Sequence, residues 1–378
     1  MRYIVALDSF KGSLTSLEAG DAVKNAILDF DKNSEIVVLP LADGGEGTVE
    51  AMYSGLDGTL VNVSVTGPLQ EKVNAKYCIL PDGKTAVVEM ASAAGLTLVP
   101  ENKRNPLKTT TYGVGEIIKD AINRGCRKFI VGIGGSATND GGTGMLSALG
   151  YKFLDKSGTE IPLGAEGLEK LNSISSAEVM PELKNCSFRV ACDVTNPLCG
   201  EFGCSAVFAP QKGAINEDIT KMDLWLENYG DITKKLFPES DSRYPGTGAA
   251  GGLGFAFHSF LNSELKSGVS IILQENEFEK HILNADVVIT GEGRLDAQTA
   301  MGKAPVGVAK IAKKYNKKVI AFAGSVSDGA EVLREQGIDE FYAITPPEMP
   351  LEIAMKKDIA YKNLYNTVQK VMVEKASV

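Results

Sequence analysis

Between residues 59 and 90 three β-branched runs (60–65, 73–79 and 85–90) follow one another too closely for a helix to pass between any two of them. Parallel neighbours need a crossover of about a dozen residues or more, so these strands pair antiparallel. The joins agree, because Thr66-Gly-Pro-Leu69 and Pro81-Asp-Gly-Lys84 carry the residues that tight turns require. The texture on either side is different. Apolar runs at 4–7, 36–39, 286–290, 319–323 and 341–345 are each followed by a helical pattern, the spacing of a parallel sheet with helical crossovers. The chain therefore reads as α/β. A discontinuous, doubly wound parallel-sheet domain is expected from residues 1–58 and 286–378, with residues 59–285 inserted as a second α/β domain with a mixed sheet. A length of 378 residues fits two cores better than one.

Open parallel sheets bind ligands at the carboxyl ends of their strands, and the polar residues of this chain gather there. After the first run come Asp8, Ser9, Lys11 and Ser13, ahead of a helix opened by the capping box Thr15-x-x-Glu18 and expected to run to Phe30. After the second come Asp43 and Glu46, and Gly291 to Asp296 end the run at 286–290, with Glu292, Arg294 and Asp296 in it. In the insertion, Asp193 and Asn196 follow another short strand, where the alternative is an Asn-Pro turn. Lys11 likewise reads either as a solvated loop lysine or as a ligand contact. The closing segment, 351–374, reads as one structural helix.

The most distinctive loop follows the apolar run 129–133. It holds Gly134, Gly135, Ser136, Thr138, Asn139, Asp140, Gly141 and Gly142, and a short helical pattern then stops at Gly150. Strand, glycine-rich turn and helix form an anion cradle, since glycine admits close backbone approach and the helix N-terminus attracts negative charge. The alternative is a tight corner that needs glycine for steric reasons alone. Residues 246–254 form a second glycine run, read equally as an anion cradle or as close helix packing. Gly132-x-Gly134-x-x-Ala137, with Asp155 beyond, also fits a dinucleotide fingerprint, which would make the chain an NAD(P)-dependent oxidoreductase acting on a small hydroxy acid. Against it, residues 151–158 look like a turn and not a second parallel strand. No Walker A loop occurs, and Met301-Gly-Lys-Ala304 lacks its upstream glycine and its hydroxyl.

Composition removes other classes. A net charge of −9 without a basic tract argues against nucleic acid. Two histidines, and six cysteines with no CxxC pair, leave little for a zinc site or a serine triad. The thiols read as reduced, and a chain that enters a strand at once, with no leader and no membrane-length apolar run, reads as cytoplasmic. Strand-end acids alternating with glycine loops suit phosphoryl transfer, where positioning and charge neutralisation supply most of the catalysis. A non-catalytic nucleotide-binding regulator is the third reading, and it requires those acids to be incidental.

Six stretches together resemble the bacterial glycerate kinases that phosphorylate the 2-hydroxyl (type I). They are Asp8-Ser-Phe-Lys-Gly-Ser13, Pro40-Leu-Ala-Asp-Gly-Gly-Glu-Gly47, Ile133-Gly-Gly-Ser-Ala-Thr-Asn-Asp-Gly-Gly142, Cys192-Asp-Val-Thr-Asn-Pro-Leu198, Gly248-Ala-Ala-Gly-Gly-Leu-Gly254 and Thr290-Gly-Glu-Gly-Arg-Leu-Asp-Ala-Gln-Thr299. They occur in the family's order and span nearly the whole chain. The resemblance implies ATP and D-glycerate as substrates, Mg²⁺ as cofactor, 2-phosphoglycerate as product, and a flavodoxin-like domain beside a second α/β domain. Roles are assigned from placement. Asp193 is expected as general base, Lys11 and Arg294 as charge-neutralising catalytic groups, and Asp43 or Asp296 on the metal. Asp8, Ser9, Asn196 and Glu292 are expected on the substrate, and the loop from Gly134 to Gly142 on the nucleotide. Partners are expected to be these small molecules, with the chain a monomer or homodimer and no membrane contact.

Overall fold

Two large sheets with separate cores, and a small two-stranded ribbon, carry the strands of the computed structural model, which describes residues 1–42 and 47–376. One compact unit is built from residues 1–42, 50–56 and 269–376, and the other from 47–49 and 57–268.

The chain opens with β1 (Arg2–Leu7), an apolar strand with no exposed residue from Tyr3 to Leu7. The helix Ser16–Phe30 follows, started by the expected capping box: Thr15 Oγ1 accepts the Glu18 N–H, and the Glu18 carboxylate accepts the Thr15 N–H. Its stripe of Ala19, Ala22, Val23, Ala26 and Ile27 is buried, and β2 (Glu35–Val38) then pairs parallel with β1. The second unit carries β3 (Thr59–Thr66), β4 (Lys72–Ile79), β5 (Thr85–Glu89), β6 (Lys128–Gly132), β7 (Lys152–Leu154), β8 (Ser173–Ser175), β9 (Ser187–Ala191) and β10 (Glu264–Lys266). The first unit is completed by β11 (Val287–Leu295), β12 (Lys318–Val326) and β13 (Glu340–Ala343).

In the first unit the order is β13-β12-β11-β1-β2, all parallel. Numbered within the unit this is the flavodoxin-like order, whose winding reverses between β1 and β11. In the second unit β3, β4 and β5 form the expected antiparallel meander, with Asp82 of the second turn accepting the N–H groups of Lys84 and Thr85. The helix Tyr112–Asn123 then returns the chain to β6, which pairs parallel with β5 and with β9, and β10 joins β9 parallel. The result is a six-stranded mixed sheet.

Three expectations are corrected in detail. Residues 269–285 belong to the first unit: Val269, Ile272 and Leu273 are buried, Val269 lies against Gly307 of the helix Ala304–Lys314, and Asn276 Nδ2 donates to the Pro40 carbonyl at 2.7 Å. β11 does not stop at Thr290 but continues to Leu295, so Glu292 and Arg294 stand on the strand itself. The closing helix is broken at Met355, giving Leu351–Ala354 and Lys357–Ala376. The longer piece buries Leu364, Val368 and Met372 and packs along the helix Ser16–Phe30, where Tyr365 donates to Asp29 at 2.6 Å.

Candidate functional site

At the winding reversal of the first unit, the strand ends of β1 and β11 lie side by side, with Leu7 opposite Gly291. A crevice forms outside such a reversal because the two crossover helices leave on opposite faces. Asp8 is only 5% exposed there, and its Oδ1 accepts the Ser9 N–H at 2.7 Å. The chain then closes a tight loop from Phe10 to Leu14, with Gly12 in the left-handed region, and this presents Lys11 to solvent.

On β11, Glu292 is buried and accepts the Thr299 hydroxyl at 2.6 Å. Burial pushes its carboxyl up from the usual range, while the Thr299 hydrogen bond and the charges of Lys303 and Lys11 pull the other way. Arg294 is exposed, its Nε donating to Ser327 Oγ at 2.9 Å and lying 3.5 Å from Asp296 Oδ2. Asp296 Oδ1 in turn accepts the N–H groups of Gln298 and Thr299 at 2.9 and 3.1 Å. Asp8, Ser9, Lys11, Glu292, Arg294 and Asp296 therefore converge on one sheet edge. Asp43 lies outside the described residues. Sequence reasoning gave no role to Thr299, Lys303 or Ser327. Lys303, weighed in the sequence only within an incomplete Walker A run, stands just before the helix Ala304–Lys314.

The second unit also has a carboxyl edge, formed by the parallel strands β5, β6 and β9. Gly134 and Gly135 are exposed after β6, while Asp193 and Asn196 follow β9. Asp193 is exposed and accepts the Gly268 N–H at 3.2 Å; Asn196 donates to the Phe202 carbonyl at 2.8 Å. The exposed part of the glycine loop is tied down by its backbone, since the Gly135 carbonyl accepts the Leu96 N–H and Ala137 bonds the Ala94 carbonyl.

Beyond Ser136 the expected cradle turns inward. Thr138, Asn139 and Asp140 have no exposed surface. Asp140 accepts the Thr111 N–H and hydroxyl at 2.8 and 2.9 Å and the Gly142 N–H at 3.1 Å. The Met145 N–H is met by Thr111 Oγ1. The start of the helix Thr143–Ala148 is thus served by a carboxylate and a hydroxyl of the protein itself, which leaves it no phosphate to receive. Burial pushes the Asp140 carboxyl up, opposed first by its bonds to Thr111.

Gly141 and Gly142 serve close packing: a Cβ would stand 2.8 Å from the Tyr229 ring at the first and 2.5 Å from Ala256 at the second. The second glycine run packs on the first, with Gly251 against the Thr138 carbonyl and Gly252 against Gly141. Residues 138–142 therefore form the steric corner, and of the loop only Gly134 and Gly135 remain exposed. Lys212, missed in the sequence because it stands alone after Ala209-Pro-Gln, is buried beneath this corner and donates to the Thr138 carbonyl at 2.7 Å.

The dinucleotide fingerprint fails on its second half. β7 pairs antiparallel with β8 in a separate two-stranded ribbon, and Asp155 is occupied by the N–H groups of Ser157 and Thr159 within a turn. All six cysteines are free thiols. Among the described residues no helix is long and apolar enough to cross a membrane.

An open parallel sheet with acids and cations at its winding reversal, in a chain whose second unit is built on a mixed sheet, makes this a two-unit α/β protein with a candidate ligand site at the strand ends. The profile of the glycerate kinase family matches residues 3–374. A glycerate 2-kinase from Escherichia coli (strain K12) is 47% identical over 96% of this chain and 95% of its own length. A glycerate kinase from Bacillus subtilis (strain 168) is 46% identical over 96% and 94%. A crystal structure assigned to glycerate kinase 2 from Salmonella typhimurium LT2 superposes with a TM-score of 0.92 at 43% identity, covering 100% of this chain and 98% of that one. The chain belongs to the glycerate kinase family. It is a kinase, and the oxidoreductase reading falls with its fingerprint.

Proposed function

We propose that the chain transfers the γ-phosphoryl group of ATP to the 2-hydroxyl of D-glycerate, giving 2-phosphoglycerate and ADP. The observation that carries this reading is the convergence of Asp8, Lys11, Glu292, Arg294 and Asp296 at the β1/β11 strand ends, in a chain of this family. The position of transfer is drawn from the relative whose name is glycerate 2-kinase. Lys11 and Arg294 neutralise phosphate and carboxylate charge, and the planar guanidinium suits a carboxylate clamp. Glycerate's primary hydroxyl is the less hindered, so attack from C2 requires the carboxylate to be held. Orientation of that kind contributes about 7–11 kcal/mol. Asp193 is the proposed acceptor for the hydroxyl proton, and the exposed residues Gly134 and Gly135 the proposed contacts of the nucleotide phosphates.

Mg²⁺ is held by hard oxygen ligands, commonly one or two carboxylates completed by water and phosphate. Among the described residues no group of three or more acids, histidines and cysteines could hold a metal, so they offer no cage. Asp296 fits the lesser requirement: backbone N–H groups fix its Oδ1 and orient the carboxylate at the strand end. It is the proposed ligand, together with Asp43, and the ion would neutralise charge on the transferred group.

A coupled assay tests the regiochemistry. Enolase consumes 2-phosphoglycerate and not the 3-isomer, so purified protein with ATP, Mg²⁺ and D-glycerate should give signal with enolase alone. Signal that appears only after phosphoglycerate mutase is added would mean phosphorylation at C3. No ADP at all would overturn the reading.

A further inference from the structure

Thr299 lies in the short turn Thr299–Met301 that follows β11, and it has no exposed surface. A hydroxyl carries one proton and two lone pairs. The Asp296 N–H, 3.2 Å away, can only donate, so Thr299 Oγ1 accepts there. Its proton is then free to go to Glu292 Oε1 at 2.6 Å. The Thr299 N–H returns to Asp296 Oδ1 at 3.1 Å. One buried residue therefore bonds both Glu292 and Asp296, and the direction of the two N–H bonds is set by chemistry. The other acceptors in reach, the Arg294 carbonyl and Asp296 Oδ1, lie at 3.5 Å, so Glu292 Oε1 is the nearest partner for this proton.

We infer that Thr299 is a positioning residue for the phosphoryl transfer, its hydroxyl holding Glu292 and the Asp296 turn in one arrangement at the strand end. The two acids carry like charge and repel, and each has rotamers that would take it toward water. A buried donor lying between them offsets that tendency. Neither glycine nor backbone supplies the function here, because the Asp296 N–H needs an acceptor and Glu292 Oε1 a donor, and one hydroxyl is both. The inference rests on the reading of this strand end as the substrate site.

Thr299→Val keeps the shape of the side chain and removes the hydroxyl alone, and Thr299→Ser keeps the hydroxyl. Kinetic constants for ATP and D-glycerate, with thermal melting, are measured for both and for Glu292→Gln. The expected result is a kcat roughly ten- to a hundred-fold lower for the valine variant, as misplacement of reacting groups produces. The serine variant should recover most of the rate, with the valine variant still melting cooperatively. A structural role alone would lower the melting temperature and leave kcat per folded enzyme unchanged, which would overturn the inference. Should the valine variant fail to fold, Thr299→Cys supplies the same comparison through a weak donor of similar size, and wild-type kcat there would overturn it equally. If Glu292→Gln is impaired while Thr299→Val is not, the inference alone is wrong. If Glu292→Gln has wild-type constants, the reading of the site fails and the inference falls with it.

Discussion

The ammonium of Lys212 donates to the carbonyl of Thr138 at 2.7 Å, and both residues are buried. Burial pulls the lysine down to about 8, with the charges of Cys204 and Asp140 resisting. A lysine whose folded value is lowered contributes stability that is present above its unfolded value of 10.5 and lost as pH falls through about 8. The protein should therefore gain stability as pH rises from about 8 to about 10, by about 1.4 kcal/mol for each unit of difference between the two states. Lys212→Met should lack that gain. Urea midpoints for both proteins across this range are the check, and parallel curves would show that Lys212 is charged alike in both states.

Gly251 has φ +67°, and a Cβ there would stand 2.0 Å from the Thr138 carbonyl oxygen. The three nearest atoms, from Thr138 and Asn139, are all backbone, so nothing flexible can yield. Gly251→Ala should cost about 3 kcal/mol or more. An unchanged urea midpoint would mean that the two glycine runs can separate without loss.

Asp193→Asn removes the proposed proton acceptor while leaving an oxygen for the Gly268 N–H, so the loop should keep its shape. The expected loss in kcat is about 10²–10⁴-fold. Near-normal turnover in a folded variant would place the base elsewhere.

Arg294→Lys keeps the charge and loses the planar fork. The KM for glycerate should rise about tenfold, the equivalent of one weakened charged hydrogen bond, with the KM for ATP unchanged. A rise for ATP alone would move Arg294 to the phosphates.

Where each residue acts through its local neighbours, the sequence was informative. Apolar runs each followed by a helical pattern marked the five parallel strands, and Thr15 with Glu18 marked the first helix start. Asp8, Lys11, Glu292, Arg294 and Asp296 were singled out as candidates because each follows closely on an apolar run. The glycine loop was half misread, since a glycine admits an anion or a neighbouring backbone with the same ease. What decides between them at Gly141 and Gly142 is Tyr229 and Ala256, which stand 88 and 114 residues further along the chain (229 − 141 and 256 − 142). The anion at the helix start was Asp140 itself, and the hydroxyls that complete it, Thr110 and Thr111, lay upstream as a run with no assigned purpose. Lys212 had no local signal, because burial of a lone lysine is a property of its surroundings. The boundary at 268 was missed for the same reason: Val269 to Leu273 is apolar enough for either core.

β1 finds its partner β11 far along the chain, with Arg2 bonding Asp286 across a separation of 284 residues. All of the second unit is synthesised in that interval. Two parallel strands and one helix are too few to be stable alone, so the apolar Ile4-Val-Ala-Leu7 run must wait while residues 57–268 acquire a core of their own. Assembly therefore runs against the order of synthesis, and the first strand made is among the last to be enclosed. Until then it is an unpaired edge of the kind that aggregates. Proteolysis of ribosome-arrested chains ending before Val287 should cut this N-terminal stretch while sparing the second unit, and the yield of the protein in any host should depend on how long that exposure lasts.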